Sequence, residues 1–225
     1  MKWKDDLAVK IQQRQLKNDT FTIISNDCWG AEAYRHFGLA YRTPFVGLFV
    51  MAPCFIKLLK DLPFYMNTEL TFVKQSKYEE RNIDRHNKNK FYPIALLSND
   101  IEIHFLHYPS DDEAYKTWNK RKQRINWDNL YIKFDSSKDG CNYELLKEFD
   151  GLPFEKKLCL SHQKFPEITS CIQFDNWVVD GAKMYRISLE KVNMINWLNG
   201  GSWKQTSLFY SLFYTFFIRN NKAFL

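Results

Sequence analysis

Short β-rich runs alternate with helical patterns along this chain, and that alternation constrains its fold more than any other feature. Phe21-Thr-Ile-Ile-Ser25 reads as a buried strand, Asn26-Asp27-Cys28-Trp29-Gly30 as a turn, and 31–37 as a short helix stopped by Gly38. Further strands are expected at 45–50, 70–73, 130–134 and 157–161, with helices at about 53–66, 143–149 and 192–198. Residues 92–97 and 101–108 flank Ser98-Asn99-Asp100 and predict a hairpin. In its second arm Ile101, Ile103, Phe105 and His107 alternate with Glu102, His104 and Leu106. Ser110 and Glu113 form a capping-box pattern that opens a helix over 111–126. Residues 75–90 carry only Tyr78 and Ile83 as apolar side chains and read as a surface loop, and 170–189 as strands or irregular structure. Strands alternating with helices predict an α/β fold, its mostly parallel sheet covered by helices on both faces, with some antiparallel pairing at the hairpin.

The 225 residues suffice for one sizeable core, and no repeat or Pro/Gly/Ser-rich linker divides them, so one α/β domain over 1–225 is expected. Residues 1–19 read as a peripheral helix, and the apolar stretch 207–218 as a buried or partly buried aromatic helix closing the chain. That stretch is shorter than the ~20 residues that a membrane span needs. A helix lying on a membrane surface is the alternative for it. Lys and Arg number 32 against 26 Asp and Glu, a mild excess compatible with nucleic acid, anionic lipid or phosphorylated small molecules. No zinc-finger spacing, RNP-like motif or long basic arm is present, which argues against nucleic acid as a partner. Five widely spaced cysteines point to free thiols, and the charged start Met1-Lys-Trp-Lys-Asp-Asp is unlike a signal peptide. The expected location is cytoplasmic.

Three constellations could carry chemistry. Cys28 follows a strand and opens a helix, where unpaired backbone N–H groups favour a thiolate and can hold an oxyanion or phosphate. Against this, Asp27 beside it would raise the thiol pKa, and Cys28 could be a small packing residue with Asp27 as helix cap. His104 and His107 could each supply a base, with Glu102 on the His104 face to fix its tautomer, or each could be a histidine satisfied within the sheet. Ala114, Trp118, Arg121 and Ile125 share one helix face, so Arg121, flanked by Arg124, needs a carboxylate, carbonyls or an anionic ligand unless it snorkels to the surface. There is no G-x-S-x-G, Walker or G-x-G-x-x-G motif and no Asp-x-Asp pair, and the histidine spacing gives no metal-ligand set.

The segments Ile23-Ile-Ser-Asn-Asp-Cys-Trp-Gly30, Tyr92-Pro-Ile, Ile101-Glu-Ile-His-Phe-Leu-His-Tyr108 and Trp118-Asn-Lys-Arg-Lys-Gln-Arg-Ile-Asn126 together resemble an uncharacterised bacterial family labelled as exopolysaccharide-biosynthesis proteins. The likeness covers roughly residues 20 to 190. It implies a three-layer α/β/α sandwich and a role among capsule and surface-glycan genes. More distantly, the chain is similar to papain-like cysteine hydrolases and to polysaccharide-modifying proteins linked to acyl transfer. That likeness implies Cys28 as nucleophile, His104 or His107 as base, and Arg121 or Arg124 as anion clamp.

Joined to the expected cytoplasmic location, the resemblance implies a protein of surface-polysaccharide biosynthesis. The first expectation is a cysteine-dependent acyl transferase or hydrolase acting on a glycan or sugar-phosphate precursor, with an acyl-CoA as possible donor. Its expected site comprises Cys28, His104 and His107 as catalytic residues, and Asn26, Trp29, Gly30, Glu102, Arg121 and Arg124 as substrate-binding residues, with no metal ligands. The alternatives are a metal-independent glycosyltransferase that binds a nucleotide-sugar, and a non-catalytic scaffold touching membrane polysaccharide enzymes.

Overall fold

The computed structural model describes residues 10–204. The expected helix over 207–218 and the first part of the N-terminal one lie outside the described residues; 10–15 are helical. Four strands, β1 (Thr22–Ser25), β5 (Leu130–Asp135), β6 (Lys157–Ser161) and β7 (Cys171–Gln173), form a sheet in the order β1-β5-β6-β7 with every pairing parallel. Three more, β2 (Leu70–Val73), β3 (Ile94–Leu97) and β4 (Ile101–His104), form a separate antiparallel sheet in the order β2-β3-β4. Both lie in an α/β fold, and the hairpin belongs to the second sheet rather than to the parallel one.

Side-chain alternation explains the layering. Ile23, Tyr131, Leu158 and Leu160 point to one face of the parallel sheet, and Ile24, Ile132, Phe134 and Cys159 to the other. The first face is covered by helix α1 (Trp29–Phe37), α7 (Gly181–Ser188) and α8 (Met194–Leu198) through Trp29, Tyr34, Met184, Tyr185 and Trp197. The opposite face packs on α2 (Ala52–Lys60) and α6 (Tyr143–Gly151) through Phe55, Leu146 and Phe149. The same core continues into the antiparallel sheet and α5 (Asp111–Lys122), whose Ala114 and Trp118 are buried. Both faces of the parallel strands are therefore dry, as parallel sheets require.

Several local expectations are corrected. Residues 45–50 form no strand: Gly47 stands at φ 72° with His107 and Tyr108 against it, and only Phe49 bridges to His104. The helix expected over 53–66 is two, α2 and α3 (Leu62–Asn67), because Asp61 leaves helical geometry and caps a new start at Pro63, whose missing N–H fits a first turn. Residues 75–90 are not a loop but contain α4 (Glu79–Asn87). Its one buried residue is Arg85, so apolar periodicity could not show it. Within 170–189, β7 is followed by α7, and α5 ends at Lys122 rather than at 126. His107 lies in a turn beyond the end of β4, so strand alternation does not govern where it points. Among the described residues no helix is long and apolar enough to cross a membrane.

Candidate functional site

A cleft of about 810 Å³ opens where β1 and β5 end. Open α/β sheets place ligands at the carboxyl ends of their strands. Its floor is a buried charge network. Lys133, on β5 and fully buried, donates to both carboxylate oxygens of Asp27 at 2.8 Å each. Lys138 reaches Asp27 Oδ2 at 2.8 Å from the loop after β5. Burial opposes ionisation of Asp27, but the two ammonium groups overcome it and hold its carboxyl far below the usual carboxylate range. Asp27 Oδ1 also accepts from Trp29 N at 3.1 Å, so the expected helix cap is formed by this residue. Asp135, 4.0 Å from Lys133, accepts from Trp177 Nε1, and burial raises its pKa.

Cations and aromatic rings form the walls. Arg121 Nη1 donates to the Tyr108 hydroxyl at 2.7 Å, and its guanidinium lies 4.9 Å from the centre of the Tyr41 ring. The expected polar neighbour of this arginine is thus a phenol and an aromatic face, not a carboxylate. Arg85 donates to the carbonyls of Lys74 and Tyr92 at 3.2 and 3.0 Å and lies over the rings of Phe91 and Tyr92. The Nε atoms of Arg81 and Arg85 are buried and have no hydrogen-bond partner among the described residues. Three cleft cations are neutralised, Arg35 by Glu32, Lys88 by Asp84 and Lys138 by Asp27. Arg81, Arg85, Lys90 and Arg121 have no carboxylate within 4.0 Å among the described residues. Such a set of cations, two of them set on aromatic faces and none paired with a carboxylate, suits an anionic ligand.

The structure brings Cys28, His107 and Arg121 to this cleft and leaves the other expected site residues outside it. Cys28 stands at the start of α1 as anticipated and makes no side-chain cap bond, and burial, and then the Asp27 carboxylate, push its thiol up to about 11. This is the opposite of activation. Its sulfur stands 3.9 Å from the Leu48 carbonyl. Burial, together with Lys90 and Arg35, lowers the His107 pKa. His104 is completely buried, its Nε2 2.7 Å from Glu102 Oε1 and its ring stacked on Phe49, and burial lowers its pKa against the pull of Glu102. Glu102 also accepts from Ser76 Oγ and from Lys77 N. The pairing of the two residues holds as anticipated, inside a closed polar cluster rather than a site.

The remaining four lie outside the cleft lining. Asn26 ties β1 to β5, accepting from Asp135 N at 3.0 Å, and its carbonyl accepts from Val50 N. Trp29 is a core residue whose Nε1 donates to Ser188 Oγ at 3.0 Å. At Gly30 a Cβ would come within 3.0 Å of Ile23 and Ser25, so glycine lets α1 lie close on β1. Arg124 is exposed and donates to the Tyr41 carbonyl. Asp139 escaped the sequence reading, and Arg81 and Lys90, the two ends of a dense basic stretch, were not among the expected site residues. Lys138-Asp139-Gly140 past the end of a parallel strand was the available signal for the first, since such positions edge the ligand cleft. Among the described residues no group of three or more His, Cys, Asp or Glu side chains could hold a metal ion, and all five cysteines are free.

The sequence profile of a domain of unknown function (DUF1919) matches residues 2–199. An uncharacterised protein of Haemophilus influenzae is 30% identical over 202 residues, spanning 83% of this chain and 88% of that relative.

Proposed function

The chain belongs to the family of the domain of unknown function DUF1919, and on that premise we propose that it is a cytoplasmic transferase of surface-polysaccharide assembly whose cleft takes a nucleotide-sugar. The observation that supports this reading is the set of cations without carboxylate partners, Arg81, Arg85, Lys90 and Arg121, at the carboxyl edge of a parallel sheet, with Arg85 over the Tyr92 ring and Arg121 over the Tyr41 ring. A diphosphate would meet the guanidinium groups by charge-assisted hydrogen bonds, and the aromatic faces suit a base or sugar ring. Transfer of the sugar to a glycan precursor places the protein in the company that its resemblance to exopolysaccharide-biosynthesis proteins implies. The glycosyl reading makes no demand on Cys28, which fits that residue's raised thiol pKa.

Thermal unfolding tests the reading. A ligand at a hundred times its Kd stabilises by about 2.7 kcal/mol, which in a chain of this size raises Tm by about 5 to 10 °C. UDP or GDP is expected to give a shift of that order, reduced in Arg121→Gln and intact in Cys28→Ser. No shift with either nucleotide contradicts it.

Cysteine-dependent acyl chemistry is the second reading, favoured by one observation: Cys28 and His107 line the same cleft. A larger Tm shift with acetyl-CoA than with UDP or GDP, lost in Cys28→Ser, would select it.

A further inference from the structure

Asp139 differs from Asp27 and Asp135, the buried carboxylates of the cleft floor. Asp27 is held by two lysines and the Trp29 amide, and Asp135 by the Trp177 indole and the Ser137 amide. Asp139 lines the cleft, and its carboxyl forms no hydrogen bond or close ion pair among the described residues. Its backbone sits in the left-handed region at φ 56°, and its carbonyl accepts from Ala52 N at 2.7 Å, which fixes the loop after β5 against the start of α2.

The charged groups acting on it are Lys138 on its own loop, Asp135 at the end of β5, Asp27 after β1 and Arg81 on α4. Burial, helped by the two aspartates and opposed by Lys138 and Arg81, pushes the Asp139 pKa up to about 6. At neutral pH such a carboxylate is ionised yet more basic than an ordinary one, the condition for general base catalysis. Asp180, which also lines the cleft, already accepts from Lys183 N as the cap of α7.

We propose that Asp139 is the proton acceptor of the cleft, taking the proton from an acceptor hydroxyl as that oxygen attacks the anomeric carbon of the phosphate-linked sugar. The inference rests on the nucleotide-sugar reading above. The O–H proton passes to an Asp139 oxygen and a new carbon–oxygen bond forms at the anomeric carbon. The bond from that carbon to the phosphate oxygen breaks, and its electron pair leaves with the nucleoside diphosphate. Arg81, Lys90 and Arg121 meet the charge that develops there.

Asn adopts left-handed backbone geometry about as readily as Asp, so Asp139→Asn preserves the loop. The experiment follows release of nucleoside diphosphate from a panel of UDP- and GDP-sugars, with water as acceptor, from pH 5 to 9. The Tm shift given by UDP or GDP is read on the same proteins. Wild-type turnover is expected to rise through about pH 6 to a plateau. Asp139→Asn should keep the nucleotide Tm shift, lose that rise and fall about 100-fold or more in rate. Turnover by the variant within about threefold of wild type overturns the inference, as does nucleotide binding by wild type with no turnover at any pH. Absence of a nucleotide Tm shift in both proteins instead removes the reading on which the inference rests, and the inference with it.

Discussion

Lys133 and Asp27 form a buried ion pair, the ammonium donating to both carboxylate oxygens at 2.8 Å each. The lysine pairs in register with Ser25 across β1 and β5, so the bond ties the carboxyl end of one strand to the start of the helix after the other. With Lys133 Nζ also 5.8 Å from the centre of the Trp29 ring, this pair holds the cleft floor in place.

Breaking the pair from one side leaves a buried charge without its partner. Asp27→Ala is expected to cost about 3 to 5 kcal/mol in urea unfolding. The double substitution Asp27→Leu with Lys133→Met removes both charges and should recover a large part of that loss. Strict additivity of Asp27→Leu and Lys133→Met would show that the two side chains do not act on each other.

Two carboxyls give the stability opposite pH dependences. The Asp27 pKa is lowered in the folded chain, so its contribution is present above the ordinary value of 3.8 and fades as pH falls below it. The Asp139 pKa is raised from 3.8 to about 6, so its contribution is complete below 3.8 and is lost as pH rises through 6. Asp139→Asn should therefore gain stability relative to wild type between pH 4 and pH 7, on the order of 1 to 2 kcal/mol. A difference between the two proteins that stays flat over that interval contradicts the burial argument for this carboxyl.

The Cys28 thiol, pushed up to about 11 by burial and by Asp27, should resist alkylation near neutral pH. Iodoacetamide labelling read by mass spectrometry is expected to show Cys28 reacting only slowly at pH 7.5, with a rate still climbing above pH 9. Rapid and selective labelling of Cys28 at pH 7 would restore it as a nucleophile.

Much of the fold was legible because its determinants are local. Ser110 caps α5 by accepting from Glu113 N at 3.2 Å, and Gly38 ends α1 in left-handed geometry at φ 67°, both as their residue types imply. The strand expected over 130–134 was likewise visible in β-branched and aromatic residues, and β5 runs one residue further. What failed depended on tertiary partners. Helix α4 turns a guanidinium inward, so no apolar stripe announces it. Phe45–Val50 has strand composition, yet Gly47 packs on the turn that carries His107 and prevents a ladder.

The site was half legible for the same reason. Cys28 and Arg121 were found from helix position and face, and both line the cleft. The arrangement of Asp27, Lys133 and Lys138 brings residues about a hundred positions apart together, and nothing local in sequence announces that contact. A lysine inside a buried parallel strand was the clue, since an ammonium there demands a carboxylate partner. Alternation put His104 on the face of Glu102, where the two do meet, but it could not show that both are buried and outside the cleft lining.

Calorimetric titration of the chain with UDP and with GDP tests the central claim most directly, at two salt concentrations and beside Arg81→Gln and Arg121→Gln. The account predicts saturable binding of at least one nucleotide, weakened by salt and weakened about tenfold or more by each substitution, as loss of a charge-assisted contact implies. No binding at millimolar nucleotide, or binding indifferent to both substitutions, would contradict a diphosphate site in this cleft.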